Sequence, residues 1–279
     1  MAPAPELADR VRALAEPRRR PDGAPYASLG LDAVRALAEE TDLPPREVEA
    51  AACRTGVVVE RYVRNLDSVS LADQARLLEA RVLLVGLGGL GGHVLDMLCR
   101  MGVGRITAAD GDVFEASNLN RQLLSTQAGL SQPKAQAALD HALAVNESVD
   151  VTVLHAALDA AAFVALAAEA DLVVDALGGL ADRRALQEAA AAAGKPLVTA
   201  AVAGFSGIVA TVFPGEPGPA QFLGSGGGAE DALGCPAPGV VTAAGILCGH
   251  AANVLTGRAT TGAALLFDLA DNTFTPVAW

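Results

Sequence analysis

The sequence predicts an α/β fold: a Rossmann-like, mostly parallel sheet with helices on both faces and a small N-terminal helical extension. Three observations carry this expectation. From Arg81 onward, short apolar runs alternate with helical patterns, which implies a largely parallel sheet covered on both sides. The first run ends in Gly86, Gly88 and Gly91, a G-x-G-x-x-G turn set between a strand and a helix. Hydrophobic residues make up 52% of the 279 and charged residues 19%, enough apolar material for one large domain with an appendage.

Taken in order, residues 1–27 are rich in Pro, Arg and Ala and are expected to be loose. Two helical patterns follow, "LDAVRALAEETDL" and "PPREVEAAACRTG", with a double proline suited to opening the second. They form a small helical extension over 28–60, read as a dimer-stabilising cap or as a peptide- or protein-clamping module. The main domain covers 61–279. Its strands are expected at "VLLVGL", "RITAAD", "VTVLHA", "DLVVDAL", "PLVTAAV" and "GIVATVF", with helices between the first five. The Gly/Pro-rich run 214–239 is too long for a simple connector and is expected to be functional or mobile. A helix, "VVTAAGILCGHAANVLTG", and a strand, "AALLFDL", close the chain.

Composition excludes several classes. A formal charge of −12 argues against tRNA or another nucleic acid as partner. Cysteines 53, 99, 235 and 248 form no CxxC pair, and with the four histidines they give no metal-ligand spacing. The N-terminus lacks the apolar core of a secretory signal. The long apolar windows are punctuated by Gly, Ser, Thr, His and Asn, as in buried elements rather than membrane spans. The expectation is a cytoplasmic protein without membrane or nucleic-acid partners.

The glycine turn and the helix N-terminus behind it favour an anion, and Asp110, ending the next strand, is placed to accept from ribose hydroxyls. These features do not choose between NAD and ATP. The following connection, "DGDVFEASNLNRQLLSTQAGLSQPKAQAA", does. It packs Asp110, Asp112, Asn118, Arg121, Gln122 and Lys134 together, and guanidinium and ammonium groups suit a triphosphate. The competing reading is a polar loop that starts a helix at Pro133, with Lys134 exposed in its first turn.

"GLGGLGG", "DGDVFEASNLNRQ" and "SQPKAQAA" together resemble the ThiF/MoeB/HesA family, bacterial relatives of ubiquitin-activating enzymes, and are closest in pattern to its MoeB members. The resemblance runs over about 57–274 and includes "RYVRN" and "GVVTAAGILCGHAANVLTG". It implies an adenylyltransferase that uses ATP to adenylylate the C-terminal glycine of a small ubiquitin-like sulfur-carrier protein with a Gly-Gly tail. Such a homodimer would serve sulfur incorporation into a cofactor such as molybdopterin. Carried over, Gly86, Gly88, Gly89 and Gly91 would face the nucleotide and Asp110 the ribose, with Asp112, Ser117 and Gln122 beside them. Asn118, Arg121 and Lys134 would contact phosphates. Arg64 would reach into the neighbouring subunit's site; a surface ion pair is its competing reading. Cys235 falls where relatives carry a cysteine for sulfur transfer or thioester chemistry, and a helix dipole could activate it there; the alternative is a passive residue. Cys99 and Cys248 sit in apolar helical patterns and are expected to be buried.

The chain also departs from the family pattern. Where the family reads D-x-T-D-N, this chain reads "DALGG", so Gly178 and Gly179 border the nucleotide in place of the aspartate that positions Mg²⁺. Asp175 and Asp182 are the nearest substitutes. The zinc-binding cysteine pairs are absent and no zinc is expected, and Asn65 stands for a glutamine. The alternative function is a catalytically impaired relative that binds ATP or a carrier tail as a binding or regulatory protein.

Overall fold

The computed structural model describes residues 5–222 and 228–277. The chain opens with α1 (Pro5–Leu14), then β1 (Glu16–Arg19) and β2 (Pro25–Leu29), which pair as an antiparallel hairpin. Helices α2 (Leu31–Thr41) and α3 (Pro45–Arg54) follow, and β3 (Val58–Val59) pairs parallel to β2 to complete a three-stranded sheet. Pro45 occupies the first turn of α3, where its missing N–H costs nothing, and Asp42 ends α2 in the left-handed region.

From Pro5 onward the segment expected to be loose is ordered. Leu7, Ala8 and Val11 lie on one stripe of α1, and Leu7 and Val11 are buried in an apolar cluster with Leu29, Leu37, Val48 and Val59. The proline and arginine content hid that stripe. The cluster also extends past residue 60, taking in Tyr62, Ala75 and Leu78 from a 3-10 turn (Glu60–Asn65) and α4 (Leu71–Glu79).

The large sheet then builds by alternation. Its parallel strands are β4 (Arg81–Val85), β5 (Arg105–Ala109), β6 (Asp150–Leu154), β7 (Leu172–Asp175) and β8 (Leu197–Ala203), joined through α5 (Gly89–Met101), α6 (Lys134–Val145), α7 (Ala160–Glu169) and α8 (Ala181–Ala192). An antiparallel flank follows: β9 (Ser206–Val212), then α9 (Ala229–Leu233) and α10 (Ala237–Leu255), then β10 (Ala263–Asp268) and β11 (Thr273–Val277). The strand order is β11-β10-β9-β8-β7-β4-β5-β6.

Val82 and Leu84 of β4 point to one core with α5, α6 and α10, while Leu83 and Val85 point to the other with α7 and α8. Burial on both faces is why the strand reads as an unbroken apolar run. One strand not expected from the sequence has a simple cause. Strand β11 is mostly exposed and carries Pro276, a composition that only an edge strand tolerates. Helix α10 is long and apolar enough to cross a membrane, but it buries Val240, Ala243, Ala244, Leu247, Cys248 and Ala251 in the core.

The chain leaves β4 toward β5 on one side and later returns to β7 on the other, so the strand order reverses at β4. Open α/β sheets bind ligands at such a point, beyond the carboxyl ends of the strands.

The packing of α1 is checked by denaturation. Leu7→Ala should cost about 2 kcal/mol, as removal of a core leucine does, while Leu14→Ala, at an exposed position, should stay within about 0.5 kcal/mol.

Candidate functional site

A cleft of about 730 Å³ opens where the strand order reverses, lined by the ends of β4, β5 and β7 and by the connections after them. Its floor is the glycine turn. Gly86 has φ +95, and a Cβ there would lie 2.7 Å from the Ala176 carbonyl carbon. At Gly91 a Cβ would lie 2.7 Å from the carbonyl carbon of Gly86 and closer still to its oxygen, so only glycine lets α5 sit on the end of β4. Gly88 and Gly89 leave the backbone at the head of α5 open toward the cleft, where its amides favour an anion. Gly91 supports the turn from behind.

Asp110 closes this turn. One carboxylate oxygen accepts from the Leu87 amide at 2.7 Å and the other from the Asp112 amide at 2.8 Å, fixing the acid at the cleft wall. Across the connection, Lys134 is buried at the first position of α6, and its Nζ lies 2.8 Å from Asp112, whose side chain is 73% exposed. The exposed-lysine reading is therefore wrong: the ammonium faces the cleft, held by a carboxylate that can turn into water. Arg121 lines the same wall, with one guanidinium nitrogen donating to the Ser117 carbonyl and to Asn120. Asn118 is buried, and its Oδ1 accepts from the Glu115 amide. Gln122 is buried beside Gly88, and its Oε1 has no hydrogen-bond partner.

The cleft therefore brings together Gly86, Gly88, Gly89, Asp110, Asp112, Asn118, Arg121, Gln122, Lys134, Gly178, Gly179 and Cys235. Three expected residues do not line it: Gly91, Ser117 and Arg64. Ser117 contributes only its carbonyl, to Arg121. Arg64 lies on the 3-10 turn docked at the far end of α5, exposed and without an ion-pair partner among the described residues.

Arg183, Glu230 and Asp231 also line the cleft and had not been singled out. Arg183 donates to Asp175 at 3.0 Å, to Thr199 at 3.1 Å and to the Ala200 carbonyl at 2.9 Å. Its readable signal is an arginine one turn past a strand-end Gly-Gly. Glu230 and Asp231 sit in the short helix α9, whose approach to the cleft no local pattern reveals.

Of the two carboxylates nearest the glycines that replace the metal aspartate, only Asp182, exposed at the cleft wall, is free to reach an ATP-bound Mg²⁺. Gly178 offers open space but no ligand, and Asp175 is buried and saturated by Arg183, Thr199 and the Leu177 amide. Among the described residues no three His, Cys, Asp or Glu side chains are grouped to hold a metal ion. Nor do the surroundings of Cys235 favour a thiolate. Burial pushes its thiol up, outweighing the nearby Arg121, and its Sγ lies 3.5 Å from the Val202 carbonyl. Cys99 and Cys248 are buried, both pushed up to about 12.

Residues 61–278 match the ThiF family. The chain is 40% identical over 184 residues to the molybdopterin-synthase adenylyltransferase of Escherichia coli, covering 65% of this chain and 74% of that protein. It is 36% identical over 156 residues to the sulfur carrier protein ThiS adenylyltransferase of the same organism, covering 55% of this chain and 62% of that one. The chain thus spans about three fifths of the latter's length. Among solved structures, E. coli MccB with succinimide superposes with a TM-score of 0.66 at 19% identity, over 78% of this chain and 71% of MccB. That likeness is one of fold.

The state of Cys235 is testable by alkylation. With its pKa raised from 9.0, its rate with iodoacetamide should be low at neutral pH and still climbing above pH 9; a plateau near pH 7 would mean an activated thiolate.

Proposed function

The chain belongs to the ThiF family, and on that premise we propose that it is an ATP-dependent adenylyltransferase acting on the C-terminal glycine of a small ubiquitin-like sulfur-carrier protein. The observation that carries this reading is the convergence on one glycine-turn cleft of Asp110, the unpartnered Gln122 acceptor, Arg121 and the buried ammonium of Lys134. The head of α5 and Gln122 would hold the nucleotide, Asp110 its ribose, and Asn118, Arg121 and Lys134 its phosphates.

ATP supplies the electrophilic α-phosphorus and the leaving pyrophosphate. A carboxylate oxygen of the carrier's terminal glycine bonds to that phosphorus as the bond to the bridging oxygen breaks, leaving an acyl-adenylate and pyrophosphate. Negative charge gathers on phosphate oxygens during this exchange. Lys134 and Arg121 meet it with cations fixed in advance, so little reorganisation is needed. Asp112 holds the ammonium in place until the phosphates displace it. No step here relies on a protein-held metal ion. Because the phosphate-side cations are present, nothing in the cleft favours a binding-only relative.

We place the active unit as a homodimer in which Arg64 serves the partner's cleft. Its segment docks at the C-terminal end of α5, where Gln74, bonded to Asn65, donates to the Met101 carbonyl at 2.8 Å. Thirteen helical residues separate that end from the glycine turn, about 20 Å at helical rise, beyond an arginine's reach within one chain.

ATP–pyrophosphate exchange with Gly-Gly-tailed carriers tests the activity. Lys134→Ala and Arg121→Ala should each lower exchange about 100-fold or more; absence of exchange with every such carrier of the source organism would defeat the proposal. The dimer is tested by complementation. Arg64→Ala and Arg121→Ala should each keep only a small measurable residue of exchange alone, about 100-fold down, and recover partial activity when mixed under subunit exchange, because one hybrid site has both arginines. Continued inactivity despite proven exchange would make Arg64 a residue of its own subunit.

A further inference from the structure

Of the five residues Arg61–Asn65, three are held by side-chain hydrogen bonds or an ion pair, while Arg64 has no such partner among the described residues. The Arg61 guanidinium donates to Asn146, and its Nε lies 3.3 Å from a Glu49 carboxylate oxygen. Tyr62 is buried; its hydroxyl donates to Glu49 at 3.1 Å and accepts from the Asn146 amide at 3.1 Å. Val63 is half-buried. Asn65 donates to Gln74 at 3.1 Å. Arg64 alone is exposed, with no hydrogen-bond or ion-pair partner among the described residues.

The centre of this arrangement is Glu49 on α3, fully buried, which also accepts from the Ser148 hydroxyl at 2.8 Å. Burial pushes its carboxyl up, and Arg61, Ser148 and Tyr62 pull it back. Asn146 in turn donates to the Cys99 carbonyl at 2.9 Å, so the cluster grips the C-terminal ends of both α5 and α6. Gly102 makes room for it: a Cβ there would sit 2.6 Å from the Tyr62 ring. An apolar contact could bury this surface at least as favourably. A network in which every partner has a fixed direction does something more, which is to set orientation.

We propose that Glu49 and Tyr62 are positioning residues for Arg64: the N-terminal module supplies the buried carboxylate that clamps the Arg61–Asn65 segment onto the ends of α5 and α6 and presents Arg64 at a fixed point outside its own subunit. The inference rests on the reading of Arg64 as a residue of the partner's cleft. It gives the N-terminal module a task that composition left open. The two helices it grips are also those whose heads carry Gly89 and Lys134. The clamp therefore sets the outgoing arginine in register with the helices that build each cleft.

A double-mutant cycle on the full-length protein, read by ATP–pyrophosphate exchange, tests this. Tyr62→Phe keeps the ring and removes the hydroxyl; it should lower kcat about tenfold, within the range of coupling among residues of one network, with the KM and affinity for ATP unchanged. In an Arg64→Ala background, Tyr62→Phe should have no further effect, and Glu49→Gln should repeat the pattern. If the losses multiply, Tyr62 acts elsewhere; the clamp is then overturned while the role of Arg64 stands. If Arg64→Ala alone is harmless, both readings fall together. A second measurement needs no carrier. A nitroxide on Arg64→Cys, in a Cys235→Ser background, should report a restrained side chain that is freed by Tyr62→Phe at near-parental melting temperature. Identical line shapes with and without the hydroxyl would overturn the clamp.

Discussion

Helix α5 lies so close to the end of β4 that no side chain fits at Gly91, and Gly86 adopts a left-handed φ with the Ala176 backbone directly behind it. Much of the rest follows from that contact. With the helix seated there, its first amides face the cleft, and Asp110 at the end of the neighbouring strand reaches the Leu87 amide. The opposite end of the helix then arrives at Gly102, where the absence of a side chain admits Tyr62. One close approach between a helix and a strand thus fixes both the ligand-facing turn and the surface on which the N-terminal module docks. Neither end can shift without the other, because a helix transmits displacement as a rigid element.

Two ion pairs in the cleft illustrate how burial separates structure from chemistry. Asp175 and Arg183 are both buried, and each has further partners on β8 or the connection after β7, so the pair ties strand to helix. Breaking it would strand a buried charge, which is among the costlier changes a fold can suffer. Lys134 and Asp112 are unequal instead: the ammonium is buried and the carboxylate exposed. The carboxylate can return to water at little cost, so that pair is exchangeable for an anionic ligand. The balance of side chains lining the cleft is acidic, with Asp110, Asp112, Asp182, Glu230 and Asp231 against Arg121, Lys134 and Arg183. Anion binding here depends on directed donors at short range rather than on the net field of a chain carrying −12. Gly178 adds to this picture, since its φ lies outside the left-handed region and the space beside it is open. The backbone does not demand glycine there, so its presence is a difference of chemistry.

The features legible in the sequence were those whose cause is local. Gly86 and Gly91 mark a turn because φ and close approach act at single positions, and the β4 run reads as a doubly covered strand because both its faces are apolar. The connection from Asp110 to Lys134 was legible as one cluster of charged and polar residues because its members lie within two dozen residues of one another, and the structure brings them to one cleft. Where several causes overlapped, the signal was lost. Prolines and arginines masked the buried stripe of α1, and Pro276 masked the edge strand β11.

By itself, then, the sequence determined the element types, the glycine turn and the kinds of residue gathered beside it, all consequences of backbone geometry and short-range charge. The tertiary structure decided what depends on distant partners. It buried Lys134 while leaving Asp112 in water, left the Gln122 Oε1 without a hydrogen-bond partner among the described residues, and turned Cys235 toward the Val202 carbonyl, where burial pushes its thiol up. It also sent Arg64 outward, because Arg61 and Tyr62 are held by Glu49 and by Asn146, and Asn146 lies 85 residues from Arg61. A side chain's charge state and direction are set by desolvation and by whatever packs against it, and neither is written in the residues next to it.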